Sequence, residues 1–351
     1  MNYHLKPIDF RKYTLILIFS FIGMICISWC VEFFFQRIEG DLTRIGYFPE
    51  RYFGWNIKQP KVNPKLLKDY PLNQADVLVI GDSFSEPGIW QTKLIEDGLK
   101  VSTMTWSELK SSRVFFALPS NLGQLLAEAG FKGRYVIIES IERQFPACMT
   151  EFSEGQPPIV KQNRILPGHI IEREHFSFKN LNGAHWNIKA VSRMIDLISN
   201  SPAYIRTDNV RSDNTYAIKI NGCEWFSNRV CNYALFVNGD FEKATFSFSA
   251  NVLIVNKNLK QFNFQPIWLI VPDKATVYLG YGAFAWNPYK NVWQLPSEYP
   301  ELVVPDVATY FREKAPTIKD FYLPNNTHLS VNGYLSLGEF MKSELHKLQS
   351  K

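Results

Sequence analysis

A surplus of charge of one sign is missing from this sequence. Over 351 residues, 38 Lys and Arg stand against 33 Asp and Glu, a net charge of +5, and no basic run dominates. That argues against a nucleic-acid partner, whose recognition gathers basic charge on one face. Cysteine is scarce, with five in the chain, and internal repeats and low-complexity tracts are lacking. Charged residues make up 20% and hydrophobic ones 46%, a balance that excludes a largely disordered chain. At 351 residues, the length fits one large embellished domain or two small ones, against a usual domain size of about 150 residues. What is plentiful is aromatic: 27 Phe, 16 Tyr and 9 Trp, enough for a large core or for a surface that stacks on sugar rings.

From Tyr13 to Val31 the chain reads YTLILIFSFIGMICISWCV, with no charged side chain. Such a run is long enough to cross the ~30 Å hydrocarbon core as a helix, and no face of it suits water. Upstream stand His4, Lys6, Arg11 and Lys12 against Asp9; downstream Glu32, Glu39 and Asp41 outnumber Arg37 and Arg44. The excess of positive charge before the span predicts a cytoplasmic N-terminus, with the rest of the chain across a bacterial inner membrane, in the periplasm. The run exceeds a signal-peptide core and no small-x-small site follows it, so an uncleaved single-pass anchor is expected. The chain divides accordingly into a cytoplasmic tail (1–12), an anchor (13–35) and a Pro- and aromatic-rich connector (36–75).

Cys26 and Cys30 lie inside the span, where they act as small apolar residues. Cys223 and Cys231 stand eight positions apart, a spacing that can close a hairpin-like loop with a disulfide in an oxidising compartment. Two cysteines without a nearby histidine make a poor zinc set, and no metal is expected. Cys148 is left over and reads as buried and inert.

After the connector the pattern is α/β. Apolar runs at 76–80 (DVLVI), 135–138 (YVII) and 266–271 (PIWLIV) suit buried parallel strands. Helical spacing covers 89–99, 113–130, 251–262, 304–314 and 333–347, with Gly130 placed as a C-cap. Strands alternating with helices imply right-handed crossovers and a parallel sheet covered on both faces. Between about 150 and 250 the rhythm changes to strand-like pieces at 215–220, 233–237 and 244–249 and a helical piece at 188–198. A core split into 76–150 and 251–351 around an inserted mixed α+β subdomain (151–250) is expected, the insert suiting a lid or an acceptor wall.

The sharpest chemical signal is VLVIGDSFS, residues 77–85. A strand running into Gly81-Asp82-Ser83 sets Ser83 at the C-terminal sheet edge, where open α/β proteins build their sites. A serine hydroxyl needs a neighbouring base to act as a nucleophile; otherwise Asp82 and Ser83 simply cap the next helix. Near the C-terminus, DFYLPNNTHLSVNGY (320–334) holds His328 in a polar loop before the last helix. Of the other histidines, His4 precedes the span, His346 lies on a helix end, and His169, His175 and His185 fall in the insertion.

Together these segments resemble the SGNH (GDSL-like) hydrolase superfamily, with Gly81-Asp82-Ser83 as the nucleophile block and Thr327-His328-Leu329-Ser330 as the histidine block. The nearer resemblance is to the SGNH-like branch of the alginate O-acetyltransferases and related cell-surface acyltransferases. It is carried also by YVIIESIERQF (135–145), with Glu139, Glu142 and Arg143, by VPDKATVY (271–278), with Lys274, and by the PNNTHLS segment. It spans about 76–145 and 250–345, leaving out the insertion. The resemblance implies a flavodoxin-like SGNH fold and serine-dependent acyl transfer, with acetyl the expected group. The same resemblance implies that no cofactor takes part, that a membrane-bound O-acyltransferase supplies the acyl group and that an exported polysaccharide accepts it.

The chain departs from the pattern where the triad carboxylate belongs. Asn326 stands two positions before the histidine and Asn325 three before. Neither can offset the imidazolium charge that a carboxylate normally balances, so Asp320 or Glu139 is left to substitute, or the protein is a weakened relative. The histidine also follows the serine here, whereas in alginate members it precedes it. The expected oxyanion hole joins the Ser83 N–H to one from the Leu109–Ser112 turn, at Ser111 or Ser112. Glu142 and Arg143 read as a structural ion pair. Lys274 reads either as a group that neutralises an acidic ligand or as a solvated strand-end lysine. Trp225, Phe226, Trp286, Tyr289 and Trp293 suit sugar stacking or burial. An esterase using water as acceptor, and a non-catalytic glycan-binding scaffold, are the competing functions.

Overall fold

The computed structural model describes residues 10–34, 58–109, 117–153, 163–168, 209–212, 215–229, 231–238, 248–279 and 290–350. Helix α1 (Phe10–Phe34) is 25 residues long, about 37 Å at 1.5 Å per residue. It is apolar and unburied over Phe10–Ile27, so it is long and apolar enough to cross a membrane. Of the predicted tail (1–12), residues 10–12 belong to α1, which starts before the expected anchor boundary, and the rest lies outside the described residues.

The sheet is built from β2 (Val77–Gly81), β3 (Val101–Thr105), β4 (Tyr135–Ile141) and β9 (Gln265–Val271), after a two-residue β1 (Lys68–Asp69). Its order is β3-β2-β4-β9 with every pairing parallel. The chain therefore leaves β2 to one side and returns to the other, so a topological switch point falls between β2 and β4. Strand residues alternate between two apolar layers. Val77, Val79, Ile137 and Ile267 join Leu94, Phe311, Leu337 and Met341 on one face. Leu78, Ile80, Val136, Ile138 and Ile270 join Leu122, Leu126, Val252 and Leu259 on the other. Both faces are covered, which is why β2 and the first four residues of β4 read as unbroken apolar runs. Each such side chain, fully buried, stabilises the fold by about 1.5–3 kcal/mol.

The covering helices are α2 (Thr92–Glu96), α3 (Leu122–Glu128), α5 (Ser249–Gln261), α8 (Val307–Lys314) and α9 (Val331–Gln349), with α4 (Phe145–Cys148), α6 (Lys274–Leu279) and α7 (Lys290–Glu298) between them. Several differ from the sequence expectation for local reasons. The turn after β2 consumes residues to Trp90, leaving α2 five residues long. Helix α8 starts three residues late because Asp306 caps it, accepting from the Thr309 N–H at 3.1 Å. Helix α3 closes on Gly130, whose φ of +81° is the left-handed cap expected of a glycine. The 113–130 helix is described only from residue 117, and within that part starts at Leu122. Strand β3, VSTMT, escapes sequence reading because Ser102 and Thr103, although buried, break the apolar run.

Within the insertion, β5 (Arg164–Ile165) pairs antiparallel with β1, and β6 (Asn209–Ser212), β7 (Thr215–Ile218) and β8 (Leu235–Asn238) form an antiparallel sheet. The predicted piece at 188–198 lies outside the described residues, as does 244–247 of the strand-like piece expected at 244–249, whose last two residues, Phe248 and Ser249, instead cap and open helix α5. Cys223 and Cys231 form a disulfide, and Cys148 is a buried free thiol whose burial pushes it up to about 12.

Candidate active site

Ser83 lies on the turn that leaves β2 and is exposed. That turn is gathered onto two buried carboxyls. Asp82 accepts the N–H of Phe84 at 2.8 Å and of Ile141 at 3.1 Å. Glu139, at the end of β4, accepts the Asp82 N–H at 3.1 Å and the Ser85 hydroxyl at 2.7 Å. The strand must end in glycine, because a methyl at Gly81 would collide with Ser85 and the Glu139 carboxylate. Burial raises the pKa of both carboxyls, and the neighbouring Asp82 charge raises Glu139 further. Asp82 thus uses its oxygens on the flanking amides, while the Ser83 N–H takes no hydrogen bond among the described residues.

His328 arrives from the other side of the sheet edge on a tight hairpin. The Leu323 N–H donates to the His328 carbonyl at 2.9 Å, and the Ser330 N–H to the Phe321 carbonyl at 2.9 Å. Inside it, the Asn326 N–H closes a β-turn on the Leu323 carbonyl at 3.3 Å, with Pro324 at the position whose fixed φ suits such a turn. Ser330 then caps α9 through the Gly333 N–H. The result brings His328 Nε2 to 2.7 Å from Ser83 Oγ. On the far side of the ring, Asn326 Oδ1 lies 2.6 Å from Nδ1.

That same Asn326 oxygen accepts the His328 backbone N–H at 3.0 Å. An amide N–H can only donate, so the oxygen, not the NH2, faces the ring. Nδ1 therefore carries the proton, and Nε2 presents its lone pair to the serine hydroxyl. Phe84 stacks on the imidazole with ring centroids 4.8 Å apart. Phe84 was not singled out from the sequence, although it directly follows Ser83.

The remaining expected residues separate. Asp320 is not the third member: its carboxylate accepts the Ser227 N–H at 2.8 Å and the Ser227 hydroxyl. Glu139 serves the nucleophile turn rather than the imidazole. Asn325 is buried, but Asn326 is the residue on Nδ1. Glu142 and Arg143 do not pair with each other. Arg143 pairs with Asp273 and donates to Thr327 Oγ1 at 3.2 Å, and the sequence reading gave Asp273 no role. Glu142 accepts from the Asp273 N–H, the Thr276 hydroxyl and Trp293 Nε1 at 2.8, 2.8 and 3.0 Å. Burial, then the Asp273 charge, pushes its pKa up to about 7.

Lys274 is neither solvated nor turned to a ligand. It is 1% exposed and bonds main-chain carbonyls. Phe226 is buried, and Trp225 packs against Tyr278 at 5.0 Å between centroids, so both serve packing rather than a sugar platform. Trp286, Tyr289, Ser111 and Ser112 lie outside the described residues. Among the described residues, no three His, Cys, Asp or Glu side chains gather to hold a metal ion.

The arrangement can move a proton from the Ser83 hydroxyl to the imidazole while Asn326 holds the ring, with the Ser83 N–H available to a developing oxyanion. Comparison of the chain with protein-family models, with curated proteins and with solved structures finds no match to any of them.

Proposed function

We propose that this protein is a membrane-anchored O-acyltransferase that modifies an exported polysaccharide through an acyl-serine intermediate. The observation that carries the reading is the 2.7 Å contact between Ser83 Oγ and a histidine whose other nitrogen is held by Asn326. Ser83 Oγ attacks the acyl carbonyl carbon as His328 Nε2 takes its proton. The carbonyl oxygen becomes an oxyanion facing the Ser83 N–H. Collapse breaks the bond to the donor's leaving group, which takes the proton from His328, and leaves acyl-Ser83. A sugar hydroxyl then gives its proton to Nε2 and attacks the acyl carbon, and Ser83 departs with that proton restored.

The charge bias around α1 supports a cytoplasmic N-terminus and a periplasmic domain. Acyl-CoA is cytosolic, so a membrane-bound O-acyltransferase would hand the acyl group across, and the single anchor would keep this domain beside it. The acyl group is acetyl by the resemblance to SGNH-like acetyltransferases. Hydrolysis is the second reading, favoured by one observation: Ser83 is exposed, so water reaches the acyl-serine.

Full-length protein in detergent, treated with a fluorophosphonate probe, is expected to be labelled once, with labelling abolished in Ser83→Ala and in His328→Gln. Folded wild-type protein that resists the probe would turn the reading toward a non-catalytic glycan-binding scaffold. Acetate release from an aryl acetate, with and without added oligosaccharide, separates the two acceptors. Transfer predicts acetylated sugar at the expense of free acetate; hydrolysis predicts acetate unchanged by the sugar.

A further inference from the structure

We propose that the disulfide-closed segment of the insertion braces the histidine loop, with Lys274 as the positioning residue that joins the two. The loop turn that carries Asn326 and His328 exposes its first two carbonyls, those of Leu323 and Pro324, to the protein interior. The Lys274 ammonium donates to them at 2.5 and 3.2 Å. It donates also to the Ala234 carbonyl at 2.9 Å, three residues past Cys231. Among the described residues these three carbonyls suit the donors of an ammonium, and a buried cation keeps its charge only among such acceptors. The Phe226 ring adds its face, 5.2 Å from Nζ.

The loop's first strand is held from its other end by the same segment. Asp320 binds the Ser227 N–H and hydroxyl, its own N–H donates to the Trp225 carbonyl at 2.8 Å, and Lys319 Nζ reaches the Cys223 carbonyl at 2.9 Å. The Cys223–Cys231 disulfide, with Cα atoms 4.8 Å apart, ties these two anchorages together. The turn and the insertion therefore cannot shift independently, and the hydroxyl–imidazole distance inherits that constraint. Without the ammonium, the Pro324 carbonyl loses its donor and the Leu323 carbonyl keeps only the long bond from the Asn326 N–H, so the turn relaxes outward while the sheet and α9 stay packed.

The inference deepens the acyl-serine reading and rests on it only for its kinetic arm. Lys274→Met keeps the apolar stem and removes the charge. In full-length protein in detergent, its maximal rate of fluorophosphonate labelling is expected to fall about tenfold or more, with half-saturating probe concentration unchanged, as displacement of a catalytic group does. Cys223→Ser with Cys231→Ser should act in the same direction by about threefold. Histidine-selective 15N spectra, with His328 assigned through His328→Gln, should show a single Nδ1–H tautomer in wild type and both tautomers in Lys274→Met. A core truncation away from the loop, Leu345→Ala, should lower thermal stability and leave the tautomer single. The brace is overturned if Lys274→Met and the double serine variant both keep the wild-type tautomer, or if Leu345→Ala mixes it equally. Should Lys274→Met fail to fold, the double serine variant decides alone. Should wild type resist the probe, the acyl-serine reading fails and the ring spectra still decide the brace.

Discussion

The two halves of the candidate site are held by opposite chemistry. On the nucleophile side, main-chain N–H groups of Asp82, Phe84 and Ile141 converge on the buried carboxyls of Asp82 and Glu139. On the histidine side, main-chain carbonyls of Leu323 and Pro324 converge on the buried ammonium of Lys274, and Arg143 reaches Thr327. The first turn leaves a strand and the second precedes a helix, and in both the backbone groups lack regular partners and must find others. The turn after β2 is short of acceptors and is given acids; the hairpin before α9, whose Leu323 carbonyl already takes the Asn326 N–H, is given further donors by a base. The difference teaches that Asp82, Glu139 and Lys274 hold the backbone of the two turns, while Ser83, His328 and Asn326 form the run of side-chain contacts on which the proposed chemistry rests.

The acid half offers the most direct way to break this comparison. Asp82→Ala strands two buried N–H groups at once, each worth about 1–3 kcal/mol when left unpaired. A loss of about 2–5 kcal/mol in unfolding free energy is expected, together with a loss of fluorophosphonate labelling at temperatures where the variant is folded. A variant as stable as wild type in chemical denaturation would mean the carboxylate does not hold the turn.

Asn326 tests the boundary between positioning and chemistry. Elsewhere, amide-for-carboxylate exchange in a triad is severe because it imposes the wrong imidazole tautomer. Here the amide oxygen already faces Nδ1, so the tautomer is right and only the charge is missing. Asn326→Asp should therefore raise the probe-labelling rate, by about ten- to a hundredfold, by stabilising the imidazolium. Asn326→Ala should lower it. A rate unchanged in Asn326→Asp would show that the charge of the third member is irrelevant here.

How much of this was legible depends on whether a residue's partner lies nearby in sequence. The place of Ser83 was readable because the run Val77–Ile80 stops at Gly81, and strand, turn and serine are contiguous. His328 was readable through its motif and its place before α9. The role of Lys274 was not, because its acceptors lie 40, 49 and 50 residues away, and an isolated strand-end lysine looks the same whether solvated or buried. Asp320 misled for the same reason: it sits close to His328 in sequence, but Ser227, 93 residues back, claims its carboxylate. The Glu142–Arg143 pairing failed because neighbours at the end of a strand point to different sides, and each found Asp273 or its backbone instead.

Glu142 is the acid that stands on the basic side, and it gives the comparison a pH signature. Its pKa is pushed up to about 7 from an ordinary 4.5, so the folded protein binds a proton that the unfolded chain has released between those values. Stability from this group is complete below about pH 4.5 and is lost as pH rises through about 7. The size is on the order of 1–2 kcal/mol, discounted for its coupling to Asp273. Denaturation across this range should show wild-type stability falling more steeply than that of Glu142→Gln, which has no proton to lose. Parallel slopes would mean that the three donors around the carboxylate keep it ionised throughout.

Phe84 carries the smallest effect and joins the two halves. Its backbone N–H is held by Asp82, while its ring lies at an interplanar angle of 26° on His328. The acid half thus supplies the surface on which the imidazole of the basic half rests. Phe84→Leu keeps an apolar group there and removes the flat face, worth about 0.5–1.5 kcal/mol. If the ring only fills space, labelling and thermal stability should fall together and modestly. If it holds the imidazole in the plane shared by Ser83 and Asn326, the labelling rate should drop several-fold while the melting temperature barely moves. We expect the second outcome, because both ring nitrogens are already committed, and rotation about the axis joining them is the freedom that the stacked phenyl removes.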